Sequence, residues 1–352
     1  MASVREVSSS DYDPLASFLA GFPDEPRNTA FYLESFGIWW DANPAFQDGV
    51  PRGWVITDNE RVVGFLGNIP TFFQLNGRQI VAFSATTWRV LPDYRSQSLS
   101  LYYRLIASAK RTVLFDTTAA DDGIRIREAL KFQLMPRQSF DTGVGILRFD
   151  RVVGHKIGDG RVARALAIPL KLYQLWRRSR ASDSEVRVER LTCAGSDFDR
   201  LWEETKGVYE HTNVRSAAAI NWLCFTSTSP EKILLAGYKA DRLCGYVICS
   251  QRPYGTLSML ECLDLWINPR DSGLVKILAE AALDHGQKMG CDFVAFPYFN
   301  RSLQEDLSDL GLFQWKSELR RDFIKVNPEV GNSVKERSAY FVGAQGDYGF
   351  FE

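Results

Sequence analysis

The sequence is poor in histidine and carries almost no net charge. Its 3 histidines, His155, His211 and His285, stand beside no nucleophile motif, which argues against a histidine-based catalytic triad. The 6 cysteines form no CxxC pair and most lie in apolar, strand-like text. A zinc site is therefore not expected, and the thiols read as the reduced set of a cytoplasmic protein. No run of about 18 apolar residues occurs, so no membrane-spanning helix is expected. The opening MASVREVSSSDYD has no apolar core of a secretion signal. A formal net charge of −1 supplies no global positive field for a nucleic acid, and none is expected as a partner.

What is present suffices for a sizeable core: 45% of residues are hydrophobic and 24% charged. The length favours two domains over one. Changes of texture place an N-terminal domain at 1–150, a basic helical linker at 151–188, a C-terminal domain at 189–330 and a weakly ordered tail at 331–352. The first domain opens with a short strand at Val4–Val7 and a helix whose N-cap is Ser10 or Asp11. A second, very aromatic helix runs from Phe31 to Trp40 and stops before Asn43-Pro44. Its aromatics either build core or wall a pocket for a substrate. Hairpins follow, with turns at Asp58-Asn59-Glu60 and at Asn76-Gly77, a strong hairpin dipeptide.

The organising stretch is Ala82–Phe132. It reads as a strand (Ala82–Leu91), a turn at Pro92-Asp93-Tyr94-Arg95, a helix opened by Ser96-Gln97-Ser98-Leu99-Ser100 and running to about Ala109, a second strand (Thr112–Thr117) and a second helix, Asp121–Leu130. Strand, loop, helix, strand is a βαβ unit with a right-handed crossover. The unpaired N–H groups and dipole at the helix start form a site for an anion, above all a phosphate. Small serines keep the chain slim there, and Arg95 adds a fixed positive charge. The alternative is an ordinary helix cap beside an exposed arginine. A strand at Gly143–Phe149 is expected to close the first sheet.

Residues 151–188 hold nine Lys or Arg against Asp159, Asp183 and Glu185. The part at 161–180 forms a basic amphipathic helix interrupted by Pro169, either a linker packed on folded domains or a helix lying on an anionic membrane surface. From 189 to 330 the order of elements repeats. Trp222 and Pro230 echo Trp40 and Pro44. Leu257–Ile267 is the long strand, Asn268–Gly273 the loop and Leu274–Met289 the helix.

The run Val90-Leu91-Pro92-Asp93-Tyr94-Arg95-Ser96-Gln97-Ser98-Leu99-Ser100 resembles the diphosphate-binding arm of the GNAT acyltransferase superfamily, V-x-P-x-x-R-G-x-G-x-G. Val90, Pro92 and Arg95 match, and Ser96, Ser98 and Ser100 replace glycines. Ala129–Phe132 and Leu310-Gly311-Leu312-Phe313 resemble the family's L-G-F helix ending. The resemblance covers about 3–150 and 189–327. It implies a mixed α+β fold of two GNAT-like domains. Each would be a mostly antiparallel twisted sheet with a βαβ unit at a splayed strand pair.

The resemblance further implies acetyl-CoA or another acyl-CoA as cofactor, held in the first copy by Val90, Leu91, Arg95, Ser96, Gln97, Ser98, Leu99 and Ser100. A small amine or amino sugar would attack the thioester directly. Asp116, at the end of the fifth strand, and Glu261, nine residues before Arg270, are the candidate catalytic acids. The alternative for Glu261 is a strand-end residue in a salt bridge. Asp264 is expected on the opposite face of its strand. Arg127 and Leu307 stand where the family often has a tyrosine acid, and Tyr102 is expected to pack. Two other functions fit the same frame: a catalytically degenerate binding or assembly protein, and a Fem-type aminoacyl transferase.

Overall fold

The structure is a computed structural model. It describes residues 2–117, 123–135, 141–158, 160–177, 185–227, 230–316, 322–327, 329, 334, 338–342 and 346–350. The chain divides into two compact units. One comprises Met1–Met135, Arg320–Lys335 and Gln345–Tyr348; the other comprises Pro136–Leu319, Glu336–Ala344 and Gly349–Glu352.

The first unit begins with β1 (Ser3–Glu6), α1 (Tyr12–Ala20) and α2 (Thr29–Phe36). The Asn28 side chain caps α2 by accepting from the Phe31 N–H. The helix continues into a π turn, Gly37–Asp41, that buries Ile38, Trp39 and Trp40. These aromatics are core: Trp40 stacks on Phe36 at 5.0 Å, and its indole N–H donates to the Asn68 carbonyl at 2.8 Å. Then come β2 (Gly53–Asp58), β3 (Arg61–Leu75), β4 (Arg78–Val90), α3 (Ser98–Ser108), β5 (Val113–Asp116), α4 (Ile124–Ala129) and β6 (Gln133–Leu134). Both expected hairpin turns form. Asn59, Glu60, Asn76 and Gly77 take positive φ, the conformation that matches the twist of the paired strands. Near the chain start, Arg5 clamps Asp11 through two hydrogen bonds of 2.7 and 2.6 Å. That pair holds the Asp11 carboxyl at about 2.

The second unit contains β7 (Asp141–Ile146), α5 (Phe149–Ile157), α6 (Gly160–Arg177), β8 (Val186–Leu191), α7 (Ser196–Thr205), β9 (His211–Asn213), α8 (Ala217–Phe225), β10 (Lys232–Lys239) and β11 (Arg242–Tyr254). It continues with β12 (Leu257–Ile267), α9 (Leu274–Lys288), β13 (Phe293–Pro297), α10 (Arg301–Asp306) and β14 (Phe313–Lys316). Two strands follow in the chain: β15 (Phe323–Val326) and β16 (Ala339–Tyr340). The sheet orders are β1-β2-β3-β4-β5-β15-β6 and β14-β7-β13-β12-β11-β10-β8. Within these two orders, pairing is antiparallel except β4 with β5 and β12 with β13.

The expected closing strand of the first sheet is therefore in the second. Alternation fixes which face of a strand is buried, not which neighbour it pairs with. Val144 and Ile146 of β7 are buried with Phe293 and Ala295, and Phe149 opens a helix instead of ending the strand. The place between β5 and β6 is filled by β15, whose Phe323 joins Phe83, Leu105 and Leu114 in the first core. The basic stretch is packed, as the first of its two readings expected. Ala167 of α6 is buried in the same cluster as β7, and the Gln174 amide bonds both the N–H and the carbonyl of Ile146. Residues 338–342, expected in a loose tail, include β16, with Ala339, Tyr340, Phe341 and Val342 buried.

Two outcomes follow from this topology. A fragment ending at residue 150 lacks β15 and leaves β5 and β6 without the strand between them; it should show no cooperative thermal transition by circular dichroism, whereas the full chain should. Because the folded Asp11 carboxyl lies below its unfolded value, its contribution is present above about pH 4 and lost as pH falls through about 2. Asp11→Asn should thus lower stability at pH 7 by about 1 kcal/mol and flatten the acid limb of a denaturation series.

Candidate functional site

The site of interest in the first unit starts where β4 leaves β5. Their parallel pairing covers only Phe83 with Leu114 and Ser84 with Phe115, while β4 continues to Val90. Beyond Ser84 the strand bulges: Thr86 pairs with Gly67 and Arg89 with Phe65, and Thr87 takes φ +52°. A bulge with a non-glycine residue in the left-handed region is a local strain of the kind found at functional sites. At the end of β4, Leu91 is extended and Pro92 opens a 3-10 turn through Gln97. The Tyr94 hydroxyl ties that turn to Asp58 at 2.7 Å.

The turn delivers α3 with a bare N-terminus. Gln97 gives no side-chain cap and no acid lies in the first helical turn. Arg95 and Ser96 are exposed, Val90, Leu91, Gln97, Ser98 and Ser100 half-buried, and Leu99 exposed at the start of the helix. Among the described residues the Arg95 guanidinium has no acidic partner. The Ser100 hydroxyl is turned back on the helix, donating to the Gln97 carbonyl at 2.5 Å; Ser96 and Ser98 have no such internal bond among the described residues. Two buried polar atoms, the Ser84 hydroxyl and the Trp88 indole N–H, also lack partners among the described residues. Such orphans are uncommon in buried positions and mark where an outside group can bond. Gly346 (φ +61°) lies against the same place. A Cβ there would stand 3.0 Å from Thr117 Oγ1 and 3.3 Å from Ser84 Cβ, so a side chain would press on both, and the positive φ itself favours glycine.

Asp116 lies at the mouth of the gap, but its carboxylate is engaged. It is 2% exposed. Its Oδ2 accepts from Arg127 Nε at 2.7 Å and from the Tyr102 hydroxyl at 2.6 Å. Arg127 also donates to the Tyr102 oxygen at 3.2 Å. Burial, with the Asp116 charge behind it, pushes the Tyr102 phenol well above its usual range. The Trp88 ring meets Tyr102 edge-on at 4.7 Å. Tyr102 is thus more than packing, and Arg127, expected to stand in a tyrosine's place, pairs with Asp116.

The second unit repeats the geometry. β12 pairs with β13 over Met259–Glu261 and then departs, so Glu261 and Ser84 are counterparts, each eight residues ahead of a proline. Asn268 caps the turn at Pro269–Asp271, and Arg270 is exposed. Here, however, the gap is filled. The Tyr340 hydroxyl donates to the Leu265 carbonyl at 2.5 Å, and its ring packs on Trp266 and Phe299. Arg215 bonds Asp264 at 2.9 and 3.2 Å and lies 3.9 Å over the Trp266 ring.

Glu261 is buried and pairs with Arg252, 3.3 Å from its Nε. It also lies in register with Ser250 and, beyond that, Lys232 on successive strands. Burial pulls the Lys232 ammonium down to about 8, and burial pushes the adjacent Cys224 thiol up to about 12. Asp264 shares the face of Glu261 rather than the opposite one. A bulge between Cys262 and Asp264 adds one residue and reverses the alternation.

Asp116 and the arm Val90–Ser100 therefore belong to the first unit and Glu261 to the second. Sequence reasoning missed Tyr340, although Ala339-Tyr340-Phe341-Val342 is an apolar run in a supposed tail. It also missed the cross-strand row of Lys232 and Ser250, which only the register of three strands reveals.

No family model and no curated protein matches the sequence. Solved structures do match in fold. A GCN5-related N-acetyltransferase from Anabaena variabilis aligns at 13% identity and a TM-score of 0.58, over 93% of this chain and 73% of its own. One from Kribbella flavida aligns at 13% identity and 0.58, over 94% and 72%. The N-myristoyltransferase of Saccharomyces cerevisiae, with bound myristoyl-CoA, aligns at 11% identity and 0.53, over 96% and 88%. The chain has the GNAT fold, and each of its two sheets holds one splayed parallel strand pair.

Proposed function

We propose that the protein is an acyl-CoA-dependent N-acyltransferase acting on a small amine or amino-sugar acceptor, with the acyl-CoA held by the first unit. The observation that carries this is the uncapped start of α3 beside the exposed Arg95, adjoining a strand that has left its neighbour and two buried polar atoms without partners. The second unit offers a similar loop, but Tyr340 takes up a β12 carbonyl in its gap. That a yeast relative in fold is known with myristoyl-CoA bound supports an acyl-CoA over other anionic ligands.

When bound, the coenzyme supplies an activated thioester. The chain's own residues do the rest. The N–H groups of the first turn of α3 and the Arg95 guanidinium take the diphosphate charge. The stretch of β4 released from β5 presents backbone N–H and carbonyl groups to an extended ligand. The bulge at Thr87 re-aims those groups, which can hold a developing oxyanion. Asp116 acts as a positioning residue. Its Oδ2 is already taken up by a guanidinium and a phenol, so it fixes Arg127 and Tyr102, and through Tyr102 the Trp88 ring. Glu261 has an arginine partner in the second unit and no part in this assignment.

A second reading has one observation in its favour: with Arg127 at the family's tyrosine position, no tyrosine acid is available there. The protein would then hold acyl-CoA without turning it over.

Calorimetric titration with acetyl-CoA and longer acyl forms, followed by thiol release with a panel of amines, separates the two. Binding with thiol release is expected; binding without release for any amine favours the second reading; no binding overturns both. Arg95→Ala should weaken binding by about tenfold or more, from the loss of one charge-assisted contact. Ser98→Glu, which sets a negative charge in the first turn, should abolish it while leaving the melting temperature unchanged. Asp116→Asn strips Arg127 of its charge partner in a buried place and should cost about 3 kcal/mol by chemical denaturation. Asp116→Leu combined with Arg127→Met should recover most of that loss.

A further inference from the structure

The helix α6 leaves one long face uncovered. Of the 13 large hydrophobic side chains that are exposed among the described residues, 8 lie between Ile157 and Trp176. Ile157 ends α5, and Ile168 and Leu175 lie on the side of the helix that carries its cations; the other five form a stripe. Val162, Leu166, Tyr173 and Trp176 recur at helical spacing with Leu172 beside them, and Leu172 is 61% and Trp176 80% exposed. The opposite face is used: Ala163 and Ala167 are buried, Leu170 packs on the β7 cluster and Gln174 bonds Ile146. A contiguous apolar stripe of this kind on a soluble surface marks an interaction site.

The charges on the helix say what kind. Between Gly160 and Arg177 there is no Asp or Glu. Arg161, Arg164 and Lys171 are its exposed cations, and all three lie to one side of the stripe. Apolar aliphatics along one face, cations beside them and a Tyr–Trp pair at one end match a helix lying in the headgroup region of a bilayer. Pairing with a second copy through the same face would set cations against cations. Among the described residues no helix is long and apolar enough to cross a membrane, so the contact is peripheral.

We propose that α6 docks the protein on an anionic lipid surface, its Leu166–Leu172–Trp176 stripe entering the acyl–headgroup boundary and its cations meeting the lipid phosphates. The proposal is independent of the acyl-transfer assignment.

The test is co-sedimentation of the full chain with vesicles of phosphatidylcholine alone and of phosphatidylcholine mixed with phosphatidylglycerol. Binding to the anionic vesicles and little to the neutral ones is expected, falling as salt is raised. Arg164→Ala and Lys171→Ala should each reduce partitioning by about fivefold. Leu172→Ser with Trp176→Ser should abolish it; both side chains are exposed, so the variant should keep the parent melting temperature. Failure to pellet with anionic vesicles overturns the proposal. So does equal binding to both vesicle types. A wild-type dimer or other protein complex that the double serine variant dissolves would also overturn it, because the stripe would then be a protein interface.

Discussion

The structure turns on a pairing that stops early. β4 and β5 are bonded through only two residue pairs, and β4 then runs on to Val90 with its far edge released. A released strand edge inside a folded sheet leaves backbone groups that need partners. The bulge at Thr87 keeps β4 bonded to β3 while it departs. The turn at Pro92, pinned by Tyr94 to Asp58, then brings a bare helix start to the end of the opening. Strand edge, bulge and helix tip thus follow one another along a single stretch of chain, Ser84 to Ser98.

The two copies use this arrangement differently. In the second, the comparable opening is met by Tyr340, and the surrounding interior is stitched by Arg215, Asp264 and Tyr246. Those bonds satisfy the β12 carbonyl that a ligand would otherwise take. In the first, the side chains near the opening form their own set, Tyr102, Asp116 and Arg127, yet among the described residues the Ser84 hydroxyl and the Trp88 indole N–H remain without partners.

Much of this was legible in the residues. Pro92 marked the turn and Asn76-Gly77 marked a hairpin, because each rests on local chemistry. What local chemistry cannot convey is partnership across the chain. Gly143–Ile146 reads as a strand, but its alternation is equally satisfied beside β13 or beside β5. Asp116 reads as an available acid until Arg127, eleven residues on, is folded back against it. Asp264 changes face because a single extra residue enters β12, which no periodicity count would register. The apolar run around Tyr340 was visible, but its destination depended on β12, a strand more than seventy residues earlier.

The central claim is that the opening in the first unit, and not its counterpart in the second, receives the coenzyme. Hydrogen-exchange mass spectrometry with and without saturating coenzyme A measures this directly. The account predicts slower exchange confined to peptides covering residues 84–100. Protection at 261–274 instead, or no protection in either segment, would contradict it.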